Sequence, residues 1–339
     1  MAKMVVRPGL LQSLPTRALP FHAPAVSAVA AGRRRQIRHS SHAPSPPPVS
    51  SKASSPITIP GLHKLYAKKI PITMLTAHNY PSALLAQAAG MDIILVGDSL
   101  AMVSLGMPDT SEVTLDEMIV HARAVSRAAT ISFTVGDLPM GSYEINPEQG
   151  LASAIRMMKE GRMQSVKFEG GIEMAETIRK ITTAGIPVCA HIGLTPQRQH
   201  SLGGFRVQGN TLEKALDLLR DARAVQDAGA FAVVLECVPP AIAETVTEEL
   251  AIPTIGIGAG NGCSGQVLVQ TDMLGQRPPD SFMPKFVKRY GQDWEHGLSA
   301  ITQYRDDVVS RHYPGPEFSY KVDAEVAAAF KKAARERKP

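Results

Sequence analysis

Five of the apolar runs in this 339-residue chain end on side chains able to do chemistry. Asp98 follows "IILVG", Asp137 follows "FTVG", Lys167 and Glu169 close "SVKFE", His191 follows "VCA", and Glu236 follows "VVL". Each has an ordinary reading when taken alone. Asp98 and Ser99 are residue types that cap a following helix. Asp137 before Leu138–Pro139 suits a turn. Lys167 and Glu169, two apart on a strand, face the same way and can pair with each other. His191 reads equally as a hydrogen-bonded core histidine, and Glu236 as the partner of a nearby arginine. Together they are harder to dismiss, because burying this many ionisable groups costs stability unless something uses or compensates them. Converging carboxylates raise one another's pKa unless a cation lies between them. Carboxylate oxygens without clustered Cys or His favour Mg²⁺ over zinc. An open Mg²⁺ site beside a lysine suits a 2-oxo acid, whose carboxylate and keto oxygens chelate one metal that then stabilises the enolate.

The elements that must position these groups are short and regularly spaced. Eight apolar runs, at 72–77, 92–98, 131–137, 164–170, 187–193, 231–237, 253–259 and 265–272, read as strands. Helix punctuation separates most of them. Thr114 and Glu117 form a T-x-x-E capping box. Asn146–Pro147 opens a helix that Gly161 closes, and Thr211 opens another ending at Gly229. "DWEHGLSAITQYRDDVVSRHYP" reads as the closing helix of the domain. Continuous apolar strands alternating with helices argue for a parallel sheet covered by helices. Eight of them over roughly 260 residues predict a (β/α)₈ TIM barrel, with its chemistry at the carboxyl ends of the strands. A doubly wound open sheet is the competing architecture, but no GxGxxG follows the first strand to support a dinucleotide-binding version. "IGIGAGNGCSG" (255–265) reads either as a backbone cradle for an anion or as a turn that allows close packing.

The charge is unevenly distributed. Residues 1–55 hold eight Lys or Arg and no Asp or Glu, so a net charge of +5 for the whole chain leaves −3 for residues 56–339. The basic balance is therefore no argument for nucleic-acid binding. A leader rich in Arg, Ser, Ala and Pro, without an apolar core segment, has the composition of a mitochondrial transit peptide followed by a linker. No apolar run reaches the length of a membrane span. Cys189, Cys237 and Cys263 show no CxxC spacing and fit a reducing compartment. The expected organisation is leader and linker at 1–55, catalytic barrel at 56–322, and a helical tail at 323–339.

The motifs "VGDSL", "GDLPMGSYE", "VKFEGG", "HIGLTPQ", "FRVQG", "LECVP" and "IPTIGIGAGNGCSGQVLV" occur in an order and spacing that resemble the ketopantoate hydroxymethyltransferase family, across about residues 58–320. The resemblance implies a barrel of the phosphoenolpyruvate/pyruvate-binding type, Mg²⁺ dependence and a homo-oligomer, typically a decamer. It assigns Asp98 and Asp137 as direct metal ligands and Glu169 as completing the metal environment through water. It places Ser99, Lys167 and His191, with the two aspartates, around the 2-oxo acid, and makes Glu236 the acid/base residue. The implied reaction moves a hydroxymethyl group from 5,10-methylenetetrahydrofolate to 3-methyl-2-oxobutanoate, giving 2-dehydropantoate, the first step towards pantothenate. Met140 stands where relatives usually carry Phe, and Ser264 where bacterial relatives often carry Asp. Two other readings stand beside this one. The first is a Mg²⁺-dependent carbon–carbon lyase or mutase of the isocitrate-lyase type, which generally brings a catalytic cysteine loop; the second is a non-catalytic barrel serving as a scaffold.

Overall fold

The computed structural model describes residues 55–336, so the leader expected over 1–55 lies, but for its last residue, outside the described residues. Eight strands form a barrel: β1 (Ile72–Thr76), β2 (Ile93–Val96), β3 (Phe133–Asp137), β4 (Ser165–Glu169), β5 (Val188–Gly193), β6 (Ala232–Glu236), β7 (Thr254–Ile257) and β8 (Gly265–Leu268). They pair in sequence order, all parallel, and β8 returns to β1, so the sheet is closed rather than open. Each of the eight apolar runs holds one strand.

Period-two alternation divides every strand between two cores. Ile72, Met74, Ile93, Leu95, Phe133, Val135, Val234, Ile255 and Val267 fill the barrel interior. Ile94, Val96, Val166, Phe168, Ala190 and Leu235 point outwards under the helices. The helix Ile59–Ala67 plugs the amino-terminal end, where Leu62 joins the interior cluster. The carboxyl-terminal end carries the ionisable groups instead, and parallel register fixes their neighbours. Asp137 lies opposite Lys167, Glu169 opposite His191, and Gly193 opposite Glu236.

The covering helices start where their caps predict. Thr114 and Glu117 exchange side-chain and backbone hydrogen bonds at the start of Leu115–Ser126. Asn146 accepts from the Gln149 N–H at the start of Pro147–Lys159, and Thr211 accepts from the Lys214 N–H before Leu212–Asp227.

Several local features refine the sequence reading. β2 stops at Val96, so Asp98 sits in the turn beyond the strand. β8 stops at Leu268, and Gln270–Met273 coil into a helical turn. β7 and β8 are joined by a short loop with no helix, and a β-carbon at Gly258 (φ +64°) would fall 2.7 Å from the Phe286 ring. That closeness favours the packing role of the glycine loop. The expected closing helix forms at Asp293–Val309, yet none of its residues is buried. Its apolar side chains Trp294, Leu298, Ile301 and Val308 stay exposed along one face. Ser264 ties the start of β8 to β7 through reciprocal hydrogen bonds with Thr254, remote from the mouth. Met140 lies half-exposed on the loop after β3.

Gly193 ends β5 at φ +92°, and a β-carbon there would lie 2.4 Å from the Glu236 carbonyl oxygen. We expect Gly193→Ala to cost at least about 1–2 kcal/mol. The measurement is a fall in the urea midpoint at unchanged slope; an unchanged midpoint refutes this account of the β5–β6 contact.

Candidate active site

The groups at the carboxyl-terminal mouth come from five strand ends and touch one another. Asp98, Asp137, Lys167, Glu169 and His191 are all buried, and Glu236 is partly so. The turn after β2 places Asp98 by hydrogen-bonding its own backbone N–H to Asp137 Oδ2 at 3.0 Å. Ser99 begins the short helix Leu100–Val103 without a side-chain cap bond, so capping does not account for it. It lies close to Asp98 on a half-buried turn at the mouth.

Lys167 is the hub. Its Nζ lies 3.1 Å from Asp137 Oδ1 and 3.3 Å from His191 Nδ1. An ammonium can only donate, so Nδ1 accepts and the neutral ring carries its proton on Nε2. That nitrogen lies 3.1 Å from Glu236 Oε2, close enough to steer the carboxylate, though its angle falls short of a formed hydrogen bond. Glu169 Oε1 stands 3.8 Å from the same Nδ1.

Burial dominates the electrostatics. It pushes the Asp137 carboxyl up to about 7 although Lys167 pulls the other way, and it drives Glu169 well above the usual range, with Asp98 adding to the effect. Burial by itself would lower the Lys167 ammonium, yet Asp137, Asp98 and Glu169 together hold it above its ordinary value. Burial and the Lys167 charge keep the His191 imidazolium disfavoured. Three buried carboxylates thus face one buried ammonium. Asp137 Oδ1 has no properly aligned hydrogen bond despite its contact with Lys167. Among the described residues no three of His, Cys, Asp and Glu form a ready-made ligand cluster. Mg²⁺ does not need one, because it is commonly held by one or two carboxylates plus water and substrate oxygens. An excess of hard, poorly satisfied oxygen donors fits such an ion.

The comparisons with known proteins bear on this arrangement. A family model described as ketopantoate hydroxymethyltransferase matches residues 56–316. The chain belongs to the ketopantoate hydroxymethyltransferase family. A 3-methyl-2-oxobutanoate hydroxymethyltransferase of Emericella nidulans is 62% identical over 303 residues, covering 88% of this chain and 86% of that protein. One from Enterococcus faecalis is 51% identical, covering 75% and 92%. A rice (Oryza sativa subsp. japonica) protein named 3-methyl-2-oxobutanoate hydroxymethyltransferase 2, mitochondrial, is 48% identical, covering 81% and 70%. Among solved structures, phosphoenolpyruvate phosphomutase from Streptomyces platensis subsp. rosaceus superposes with a TM-score of 0.51 at 16% identity, covering 82% of this chain and 96% of that one. A phosphonopyruvate hydrolase in complex with oxalate and Mg²⁺ gives 0.50 at 12% identity, covering 82% and 96%. These two share the fold. Membership of the ketopantoate hydroxymethyltransferase family makes the chain a hydroxymethyltransferase and sets aside the scaffold reading.

Two residues of the mouth carry no role in the sequence reading although their motifs were quoted. Gln197, from "HIGLTPQ", and Tyr143, from "GDLPMGSYE", are both buried, and the Tyr143 hydroxyl donates to Gln197 Oε1 at 2.6 Å. The signal available in the sequence was a glutamine six residues beyond the strand-end His191, in the loop that follows β5.

The cysteines sit badly for a lyase of the cysteine-loop type. Cys189 and Cys263 are buried and Cys237 is partly buried, all free. Burial pushes the Cys189 thiol up to about 12, and burial plus Glu236 does the same to Cys237. Cys263 is also raised by burial. A thiol reagent at pH 8 should therefore modify the native enzyme far more slowly than a free cysteine, and all three thiols after denaturation. One fast-reacting thiol in the native state would reopen the lyase reading.

Proposed function

We propose that this mouth catalyses hydroxymethyl transfer from 5,10-methylenetetrahydrofolate to 3-methyl-2-oxobutanoate, giving 2-dehydropantoate and tetrahydrofolate with consumption of one water. The observation that carries the reading is the excess of buried carboxylate over buried ammonium at one point of the mouth. Asp98 and Asp137 would hold Mg²⁺ directly, and Glu169 through water. When bound, Mg²⁺ supplies a Lewis acid that draws electron density from the oxygens of the oxo acid.

The chain's own residues supply the rest. Lys167, buried and held cationic by its neighbours, offsets negative charge that develops on the keto oxygen as the C3 proton leaves. Glu236, less buried than the others, takes that proton or orients the water that does. His191, neutral with Nε2–H towards Glu236, keeps the carboxylate aimed at the reacting carbon and helps to enclose the oxo acid. Ser99 adds a hydroxyl on the Asp98 side. The nucleophilic carbon then bonds to the one-carbon unit of the folate as the first of that unit's two C–N bonds breaks; water supplies the hydroxyl as the second breaks, and the two folate nitrogens take up the C3 proton and one proton of the water.

The same reading extends to assembly and place. Helix Asp293–Val309, with an exposed apolar face, supports a homo-oligomer, and the family resemblance makes it a decamer. The acid-free basic leader, together with the name of the rice relative, supports a mitochondrial matrix enzyme whose residues 1–55 are transit peptide and linker, 56–322 catalytic barrel and 323–339 a tail. Among the described residues no helix is long and apolar enough to cross a membrane.

Purified protein, 3-methyl-2-oxobutanoate and 5,10-methylenetetrahydrofolate should yield, by mass spectrometry, a product one hydroxymethyl unit heavier than the oxo acid. The product should vanish with EDTA and with Asp137→Ala, while that variant keeps its circular dichroism spectrum. Metal-independent turnover by Asp137→Ala would sink the metal assignment. Glu236→Gln should still bind the oxo acid but exchange its C3 proton in D₂O about 10²–10⁴-fold more slowly. Exchange at the wild-type rate would move the base to another group.

A further inference from the structure

Gln197 stands in the turn Pro196–Arg198 after β5, only 3% exposed, with its side-chain amide and its backbone N–H both committed. Its amide nitrogen donates to Asp98 Oδ2 at 2.7 Å and to the Leu138 carbonyl at 3.2 Å. Its amide oxygen accepts from the Tyr143 hydroxyl at 2.6 Å. Its backbone N–H donates to Glu169 Oε2 at 3.1 Å. One residue thus joins the turn after β2, the loop after β3, the end of β4 and its own loop after β5.

The amide orientation is unambiguous. The Leu138 carbonyl can only accept, so the nitrogen must face it and Asp98, which leaves the oxygen for Tyr143. The Tyr143 ring is buried against Phe168 and its oxygen also lies 3.4 Å from the Glu169 N–H, so the tyrosine cannot swing away from the amide. Arg198 pins the turn from outside through Glu173 and the Glu169 carbonyl.

We infer that Gln197 is the positioning residue of the metal site, holding one oxygen each of Asp98 and Glu169 and leaving their other oxygens free for the cation and its water. The inference rests on the metal reading above. A neutral amide suits this task because it donates to carboxylates without adding positive charge that would compete with a cation. Lysine or arginine at 197 would neutralise the excess on which the site depends. A hydrophobe would fill the space but leave Asp98 Oδ2 and the Leu138 carbonyl buried without donors. A purely structural crosslink predicts a loss of stability alone; a positioning role predicts a loss of metal affinity in a protein that remains folded.

The test titrates Mn²⁺ alone into wild type, Gln197→Met, Gln197→Leu, Tyr143→Phe and Asp137→Ala, reading free Mn²⁺ by electron paramagnetic resonance. Melting curves are taken in parallel in EDTA. We expect Gln197→Met to bind Mn²⁺ about 10–100-fold more weakly, the usual consequence of losing a ligand's outer hydrogen bond, with a folded apo form. Gln197→Leu, which also lacks the two donors and adds no charge, should lose about as much, and Tyr143→Phe should lose less. Wild-type affinity in either folded Gln197 variant, while Asp137→Ala has lost binding, overturns the positioning role and spares the metal reading. Should both Gln197 variants fail to fold, Tyr143→Phe decides, and wild-type affinity there overturns the inference. Wild type that binds no Mn²⁺, or binds it equally well as Asp137→Ala, overturns both.

Discussion

A lysine ammonium buried among three carboxylates is the interaction on which the mouth of this barrel depends. Asp137 touches Lys167 directly, while Asp98 and Glu169 raise its proton affinity through space. Removing any charge from water costs several kcal/mol even after the surroundings relax. One ammonium repays that for one carboxylate and leaves the rest in deficit. The deficit can be relieved by protonation, which the raised Asp137 and Glu169 carboxyls express, or by a divalent cation. A closed parallel barrel cannot relieve it by moving apart, because each strand is hydrogen-bonded on both sides. The geometry of the sheet therefore stores an unsatisfied demand for positive charge at the carboxyl-terminal mouth of the barrel.

The same lysine sets the protonation of its neighbour His191. Because it has donors only, it dictates which ring nitrogen of His191 is protonated, so that a proton and not a lone pair faces Glu236. The chain Asp137–Lys167–His191–Glu236 runs across β3, β4, β5 and β6, each link between neighbouring strands. It links the buried ammonium to the least buried carboxylate of the mouth. Beneath it the interior is apolar and sealed by Leu62 and its helix, which keeps water away from the lower face of the network.

The outer surface follows a different logic. Most helices bury an apolar stripe against the sheet, as Leu115–Ser126 does with Met118, Ile119, Ala122 and Val125. The helix Asp293–Val309 has such a stripe and buries none of it, while Gln266 on β8 and Thr73 on β1 are exposed. A stripe of this kind costs solvation free energy unless another surface meets it.

Much was legible in the residues alone. Strands and helices follow from local patterns, period two and period 3.6, and caps act within three or four positions, so eight strands and the starts of three helices could be read directly. Parallel strands in sequence order place their last residues at one end, which is why Asp137, Lys167, Glu169, His191 and Glu236 could be grouped before any contact was known. The contacts themselves could not. Gln197 meets Asp98 across 99 positions and Tyr143 across 54, and no periodicity links residues on different loops. Nor could a helical pattern reveal that its apolar face at 293–309 would find no partner within the described chain. Amino-acid order determined which groups reach the mouth, because that depends on local geometry repeated eight times. Tertiary structure decided which of them touch, because closure of the barrel and the crossing of its loops are set by packing between residues far apart in the chain.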